Sequence, residues 1–484
     1  KVRPFSFFVM KPLLAQQFQK LQRFFPLLTI VAISIVLLSI NFRNKAWEGG
    51  ADNYWHYYFS RYAFQKPEFF LHHWGKPLFI ALSVCFSQFG FFGTTFFNLL
   101  CGILCSWIVY KFCKQLGYKA PYIGIVFTVF TPVYFLVIQS AMTEPLFSLV
   151  FIYASYLIFT EKHIAGAIVA SFLMYARTEG VFFIIIYGVF YLIIKRWKYL
   201  PFFSVGFLLY SLIGYLSGHD FFWFFTENPY KENSPYGHGD WDHFFKLYQQ
   251  ILGTPLTILF LVGIIFIVWD FIKKPRLILE SASNTNKILW LILIPSLFFS
   301  LFHIYAWAEG KYASYGLYRV FASVTPAFSI VSFLSFNKIL EFDFKKLYKT
   351  VFIIVGIVYV TNSCFIFTKY PIKAYGAEKA GRKLAKWLKK ERKQGSLLFY
   401  AHPAVVFFCD FNPFDEKNKE CHAFPMDDSY KQLGHFYYVW DTQFSEFGCK
   451  QLLSDFTGKA DLKLVKIARA DGFSFYVFEY LPAN

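Results

Sequence analysis

Hydrophobic positions in this chain come in long runs, with few polar residues inside them. The runs 25–42, 96–112, 121–139, 145–160, 164–176, 181–194, 200–217, 255–272, 287–304, 320–336 and 348–367 are apolar almost throughout, and short polar or charged segments separate them. A helix that is apolar on every side belongs in lipid, and about 20 such residues cross the hydrocarbon. Without water, only helices and closed barrels satisfy the backbone. The pattern predicts a polytopic α-helical membrane protein of about eleven transmembrane helices. A further apolar stretch, "PLFIALSVCFSQFGFF" (77–92), is shorter and carries Ser83, Ser87 and Gln88. If it lies at the interface, "KFCKQLGYK" (111–119), Lys195, Arg196, Lys198, "KKPR" (273–276) and the lysines at 338, 345, 346 and 349 share one side. The positive-inside rule then puts the N-terminus in the cytoplasm and the C-terminus outside. The basic segment 1–24 lacks a small-residue cleavage site and reads as a cytoplasmic interfacial helix.

The pattern changes after residue 367. "AEKAGRKLAKWLKKERKQG" (377–395) repeats apolar residues at helical spacing against a lysine-rich face, "SLLFYA" (396–401) reads as a strand, and "DLKLVKIARADGFSFYVFEYL" (461–481) reads as two strands around an Asp-Gly turn. The expected organisation is an interfacial helix (1–24), a transmembrane module (25–367) with a first outer loop at 43–95, and a small α+β extracytoplasmic domain (368–484). The eight cysteines show no metal-ligand spacing. Cys409 and Cys421 either pair across the acidic loop "DFNPFDEKNKE" or remain thiols, and the residues leave both readings open.

Composition agrees with the pattern. Charged residues make up 16% of the 484, against about 25% in soluble domains, and 66 residues are Phe. The net charge of +18 belongs to basic residues at the ends of runs rather than on one face, so no nucleic-acid partner is expected. No GxxxxGKS or GxGxxG occurs, which leaves nucleotide and redox chemistry without support.

Charges at the ends of apolar runs are expensive and mark function. In "WEGGADNYWHYY" (47–58), Asp52 follows two glycines and precedes an aromatic cluster that includes Trp55 and His56. The rings suit an interfacial belt, but the acid needs another reason, and a positioned carboxylate can act as a general base. Glu144 in "MTEPLF" also suits a helix N-terminus started by Pro145. "YARTEGVFF" (175–183) splits an apolar stretch and offers Arg177 beside Glu179, either as an internal ion pair or as a phosphate ligand. Arg319, expected at the start of a span, either snorkels or clamps an anion with Lys311 nearby. Seven of the eleven histidines, at 56, 72, 73, 219, 238, 243 and 303, fall on the same outer side.

Taken together, "GADNYWHYYFSRYA", "HHWGKPLFIALS", "SAMTEPLFSL", "ARTEG" and "YGLYRVFASVTPAFSI", in this order and ahead of a C-terminal outer domain, resemble the GT-C class of integral-membrane glycosyltransferases. It looks closest to the mannosyltransferase-like members. The resemblance implies an inverting transfer of a hexose, such as mannose, from a polyprenyl-phosphate donor to a hydroxyl of a lipid, glycan or protein. The class's first-loop catalytic carboxylate falls on Asp52. Arg177, Arg319, Lys76 and His73 would hold the donor phosphate. Glu144, Glu179, His56, Trp55, Lys311, Asp240 and Trp241 would line the cleft or touch the acceptor, the last two from the loop 218–254. The class often carries a second acid beside the first. Here Asn53 follows Asp52 and Glu48 is the nearest other acid, so no obligatory divalent metal or other cofactor is expected. The implied partners are membrane lipid, the lipid-linked sugar, an acceptor and a membrane-protein complex. The implied location is a bacterial inner membrane with the active face periplasmic, or the endoplasmic reticulum membrane. Two other classes compete: a silent membrane scaffold and a lipid-linked-glycan transporter. No internal repeat supports the transporter.

Overall fold

The structure, a computed structural model, describes residues 24–230, 233–276, 283–341 and 372–482. The segment 1–23, which makes up nearly all of the expected interfacial helix, and the apolar run 348–367 lie outside the described residues. Among those residues, five helices are long and apolar enough to cross a membrane: Phe25–Arg43, Phe91–Gln115, Trp197–Leu216, Thr254–Lys273 and Asn284–Ala308. Shorter apolar helices, Pro77–Ser87, Glu144–Phe159, His163–Ala176 and Gly180–Ile193, complete the bundle together with Thr325–Glu341. The chain is a multi-pass membrane protein.

Proline sets many helix starts. Pro lies in the first turn of Phe25–Arg43, Pro77–Ser87, Glu144–Phe159 and Thr254–Lys273, where its missing N–H costs nothing. It also breaks the expected span 121–139. Thr131, ahead of Pro132, turns extended (ψ 124°), and two short helices result, Ile123–Val129 and Pro132–Val137. Pro77–Ser87 has 11 residues, about 16 Å of helix, too short to cross. The stretch 164–194 breaks at Arg177, whose backbone is extended (φ −156°, ψ 145°). Gly180 lets the two pieces pack closely, because a Cβ there would lie 2.2 Å from the Leu173 carbonyl carbon. The last described apolar run starts later than expected. Tyr318–Ser323 is a 3₁₀ turn, and the helix begins at Thr325 with Pro326 next, so Arg319 precedes the span.

The C-terminal part is a five-stranded sheet of order β2-β1-β3-β5-β4, with β1 Leu397–Tyr400, β2 Asn418–Glu420, β3 Phe436–Asp441, β4 Leu462–Ala470 and β5 Phe473–Tyr480. β1 runs parallel to β2 and β3, and β5 is antiparallel to β3 and β4. The β4–β5 hairpin turns at Asp471 (φ 47°) and Gly472 (φ 81°), both left-handed as a tight two-residue loop demands. The helix Gly376–Glu391 packs with Leu398, Tyr400, Tyr437, Val439, Phe475 and Val477 on one face of the sheet, while Phe399, Tyr438, Trp440 and Phe478 build a second core on the other. This corrects the cysteine expectation. Cys409 lies in the first core and Cys421 in the second, so the sheet separates them. Cys421 is bonded instead to Cys449, and Cys409 is a buried thiol.

α1 (Ala51–Tyr62) joins the bundle to this sheet. Tyr54, Tyr57 and Tyr58 point into the first core of the C-terminal part, and the Tyr54 ring stacks 4.1 Å from that of Phe407. The aromatic cluster after Gly50 is thus mainly a packing face. The opposite face of α1 carries Asp52, Asn53 and His56 toward the bundle.

Candidate active site

Two left-handed glycines, Gly49 (φ 105°) and Gly50 (φ 51°), turn the chain into α1. Gly49 cannot carry a side chain, because a Cβ would lie 2.5 Å from Met142 Sδ and 2.9 Å from Asn53 Nδ2. Asn53 is fully buried. Its Nδ2 donates to the Glu48 carbonyl (2.8 Å) and the Gly50 carbonyl (3.2 Å), and its Oδ1 accepts from the Ala141 N–H (2.7 Å). This side chain ties the start of α1 to the "SAMTEP" loop. Asn98 holds that loop from behind, donating to the Ser140 and Met142 carbonyls.

With α1 fixed, Asp52 meets Arg319: Nη2 of the guanidinium donates to Asp52 Oδ2. The preceding residue, Tyr318, donates its hydroxyl to Glu48 Oε2 at 3.2 Å. Consecutive residues of one 3₁₀ turn therefore grip Asp52 and Glu48 of the first loop. Burial raises the Asp52 carboxyl above the usual carboxylate range, and Arg319 opposes that rise. Burial raises Glu48 likewise, again opposed by Arg319. The Asp52 side chain keeps 37% of its accessibility, so it can be reached from outside rather than being sealed in a core.

Arg177 lies on the extended break between apolar helices. Nη1 reaches Glu144 Oε1 and Nη2 reaches Glu179 Oε1, each at 2.9 Å. Glu179 Oε1 is also 3.0 Å from His303 Nε2. Within this buried knot, Arg177 Nε and Glu144 Oε2 have no hydrogen-bond partner among the described residues. Lys76 is buried and held left-handed (φ 63°), a conformation that costs about 1 kcal/mol or more for a residue with a side chain. Its Nζ donates to Thr178 Oγ1 (3.2 Å) and to the Tyr230 hydroxyl (2.5 Å), both neutral groups. His56, one turn after Asp52, stacks on Trp74 with ring centres 4.5 Å apart. Burial first, then the charges of Lys76, Arg319 and Arg177, push its pKa well below the usual histidine value, so it is neutral.

The structure thus gathers Asp52, Arg177, Arg319, Lys76, Glu144, Glu179 and His56 into one region at one end of the bundle. The other five expected site residues make contacts of their own. His73 packs against Trp223 (4.9 Å) and Phe224 (5.4 Å). Trp55 turns to the C-terminal part beside Phe414, because it sits on the aromatic face of α1. Asp240 is exposed and pairs with Lys246 (3.2 Å). Trp241 is exposed, with Tyr305 as a ring neighbour at 6.4 Å. Lys311 donates to Asn233 Oδ1 (3.3 Å), which joins two loops. Other contributors carried little signal in the sequence. Asn53, Thr178, Tyr230 and Tyr318 are ordinary loop residues by type. Glu48, as the second acid of its loop, and His303, as a lone ionisable group within an apolar run, were the readable ones.

No protein-family model and no curated protein sequence matches the chain. Solved structures do. The crystal structure of ArnT from Cupriavidus metallidurans bound to undecaprenyl phosphate superposes with a TM-score of 0.63 at 10% identity, covering 93% of this chain and 97% of that one. The apo form of the same protein gives a TM-score of 0.61 at 10% identity over the same shares. The shared fold runs nearly end to end.

Proposed function

We propose that this protein is an inverting glycosyltransferase that takes a hexose, such as mannose, from a polyprenyl-phosphate donor and transfers it to a hydroxyl of a membrane-accessible acceptor. The observation that carries the reading is the contact between Asp52 and Arg319 in an open cleft, with Lys76 and Arg177 close enough to act together on His56. The likeness to ArnT, whose fold accommodates undecaprenyl phosphate, supports the donor class. The location that goes with it is a bacterial inner membrane with the cleft facing the periplasm. The Cys421–Cys449 disulfide fits an oxidising compartment.

The residues divide the chemistry. Asp52 accepts the proton of the acceptor hydroxyl as that oxygen attacks the anomeric carbon. The bond from that carbon to the phosphate oxygen breaks, its electron pair stays on the phosphate, and the anomeric configuration inverts. Lys76 is the first contact for the phosphate, because among the described residues its ammonium is held by a threonine and a tyrosine hydroxyl that a phosphate oxygen can replace. Arg319 neutralises charge on both sides of the transfer, at the carboxylate and at the departing phosphate. Arg177 is fixed by two carboxylates, so its part is to hold them and the helix break in place rather than to bind the phosphate.

The test is donor cleavage by purified protein in nanodiscs, supplied with radiolabelled polyprenyl-phosphate mannose and glucose. Asp52→Asn keeps the shape and removes the base, and its rate should fall by about 10²–10⁴. Wild-type turnover by D52N would refute the assignment and favour a scaffold. Donor movement across the bilayer that is indifferent to D52N would favour a transporter.

A further inference from the structure

Three exposed rings from distant parts of the chain meet beside the Asp52 cleft. Tyr236 belongs to the loop after Trp197–Leu216, Tyr315 to the loop that leads to Arg319, and Phe447 to the segment after β3. The Tyr236 ring lies edge-on to Tyr315 at 4.9 Å and stacks with Phe447 at 5.7 Å. The three keep 41%, 55% and 55% of their accessibility, which is unusual for rings already in mutual contact.

The backbone around them is built, not loose. Ser234 donates its N–H to the Gly310 carbonyl (2.7 Å) and its hydroxyl to the Ser314 carbonyl (2.7 Å). Gly239 N–H bonds the Trp307 carbonyl (3.2 Å), and His243 Nε2 donates to the Gly316 carbonyl (2.8 Å). Tyr236 and Tyr315 therefore sit on one zipped pair of loops, and Tyr315 is four residues from Arg319. Phe447 is fixed from the other side, since Cys449, two residues on, is bonded to Cys421. Tyr236 meets Tyr315, which lies four residues before Arg319, the partner of Asp52, and burial first, then the charge of Asp52, raises the Tyr236 hydroxyl above its ordinary range.

We propose that Tyr236, Tyr315 and Phe447 form a carbohydrate subsite at the mouth of the cleft, one that holds a sugar ring of a glycan acceptor with a hydroxyl toward Asp52. A pyranose has an apolar C–H face and a polar rim, and this site has both complements: flat rings, with two tyrosine hydroxyls and the Ser234 and Ser314 backbone beside them. An acyl chain would need a continuous apolar channel and would have no use for the hydroxyls. The subsite rests on the transferase reading and names its acceptor class.

The experiment measures binding separately from transfer. Wild type, Y236A, F447A and Y236F in phosphatidylcholine nanodiscs are mixed with methyl hexobiosides of the gluco, galacto and manno series, and saturation-transfer NMR reads contact with their ring protons. Wild type and Y236F should saturate at least one series, and Y236A and F447A should bind it about tenfold more weakly. Absence of saturation in wild type, or equal saturation in all four proteins, overturns the subsite. Saturation lost in Y236A but retained in F447A removes the C-terminal part from it and overturns the three-ring proposal. The transferase reading fails independently, by wild type leaving labelled donor intact while the sugar still binds.

Discussion

Asn53→Ala tests how the acid is held. The wild-type side chain makes hydrogen bonds of 2.8, 3.2 and 2.7 Å to three backbone groups in a fully buried setting. A buried hydrogen bond contributes about 0.5–1.5 kcal/mol net, and each polar group left unsatisfied costs about 1–3 kcal/mol. Alanine leaves the Ala141 N–H without this partner and loosens the Glu48 and Gly50 carbonyls, for a total near 3 kcal/mol. The larger effect falls on catalysis. Asp52 precedes Asn53 on the same helical turn, and a displacement of about 1 Å in a reacting group costs on the order of 10² in rate. Asn53→Asp is the harsher change, since it keeps an acceptor for Ala141 N–H but turns a carboxylate oxygen toward the Glu48 and Gly50 carbonyls in a buried setting. Donor cleavage and denaturant unfolding in nanodiscs should show N53A slower by about 10², with N53D slower and less stable still. Rates within threefold of wild type for N53A, at unchanged stability, would show that the clasp does not position the acid.

Two further outcomes follow from particular contacts. Arg319→Met removes the cation that holds the Asp52 carboxyl down, so its pKa rises further; the base must be ionised, so the acid limb of the pH–rate profile moves to higher pH, and an unmoved limb would deny their coupling. Its rate should also fall by about 10²–10³. Cys449→Ser opens a loop with a sequence separation of 28, which in the chain-entropy account destabilises the C-terminal part by about 3.6 kcal/mol, readable by limited proteolysis with and without reductant.

Much of the bundle was legible because lipid imposes one strong rule, that apolar runs become helices, and the described runs do. What departed has local causes. Pro132 split one run, and the late position of Pro326 left Arg319 in a 3₁₀ turn instead of on a helix. β3, "FYYVWD", escaped detection because all six residues are buried, so the alternation that marks a half-buried strand is missing. The hairpin of β4 and β5 was readable from its turn. The cysteine partner was not, because spacing along the chain does not say which face of the sheet a residue joins. In the site, charges at the ends of apolar runs identified Asp52, Glu144, Arg177, Glu179 and Arg319. That Arg319 would bond Asp52, 267 residues earlier, is a property of the packing alone. In the loop 218–254, the conspicuous Asp240 and Trp241 are exposed, whereas Tyr230 reaches Lys76.

The charges of the cleft explain why its cations do different work. Four carboxylates, Glu48, Asp52, Glu144 and Glu179, surround three cations, Lys76, Arg177 and Arg319, with His56 neutral. An anion entering such a site needs a cation that it can claim without expelling a carboxylate, because an abandoned buried carboxylate costs several kcal/mol. Arg177 fails this condition twice over, since both its terminal nitrogens already serve acids. Arg319 meets it in part, since Asp52 loses its negative charge on taking the acceptor proton, just as charge accumulates on the phosphate. Lys76 meets it outright, because displacing the Tyr230 hydroxyl leaves a neutral group that the loop 218–230 can carry aside. The left-handed backbone at Lys76 acquires a reason in this scheme: it holds one ammonium at a point where the exchange of a hydroxyl for a phosphate oxygen is the cheapest available. Strain of this size persists only where the surroundings over-determine it. Here they do, with Pro77 starting the next helix and Thr178 anchoring the ammonium from the Arg177 break.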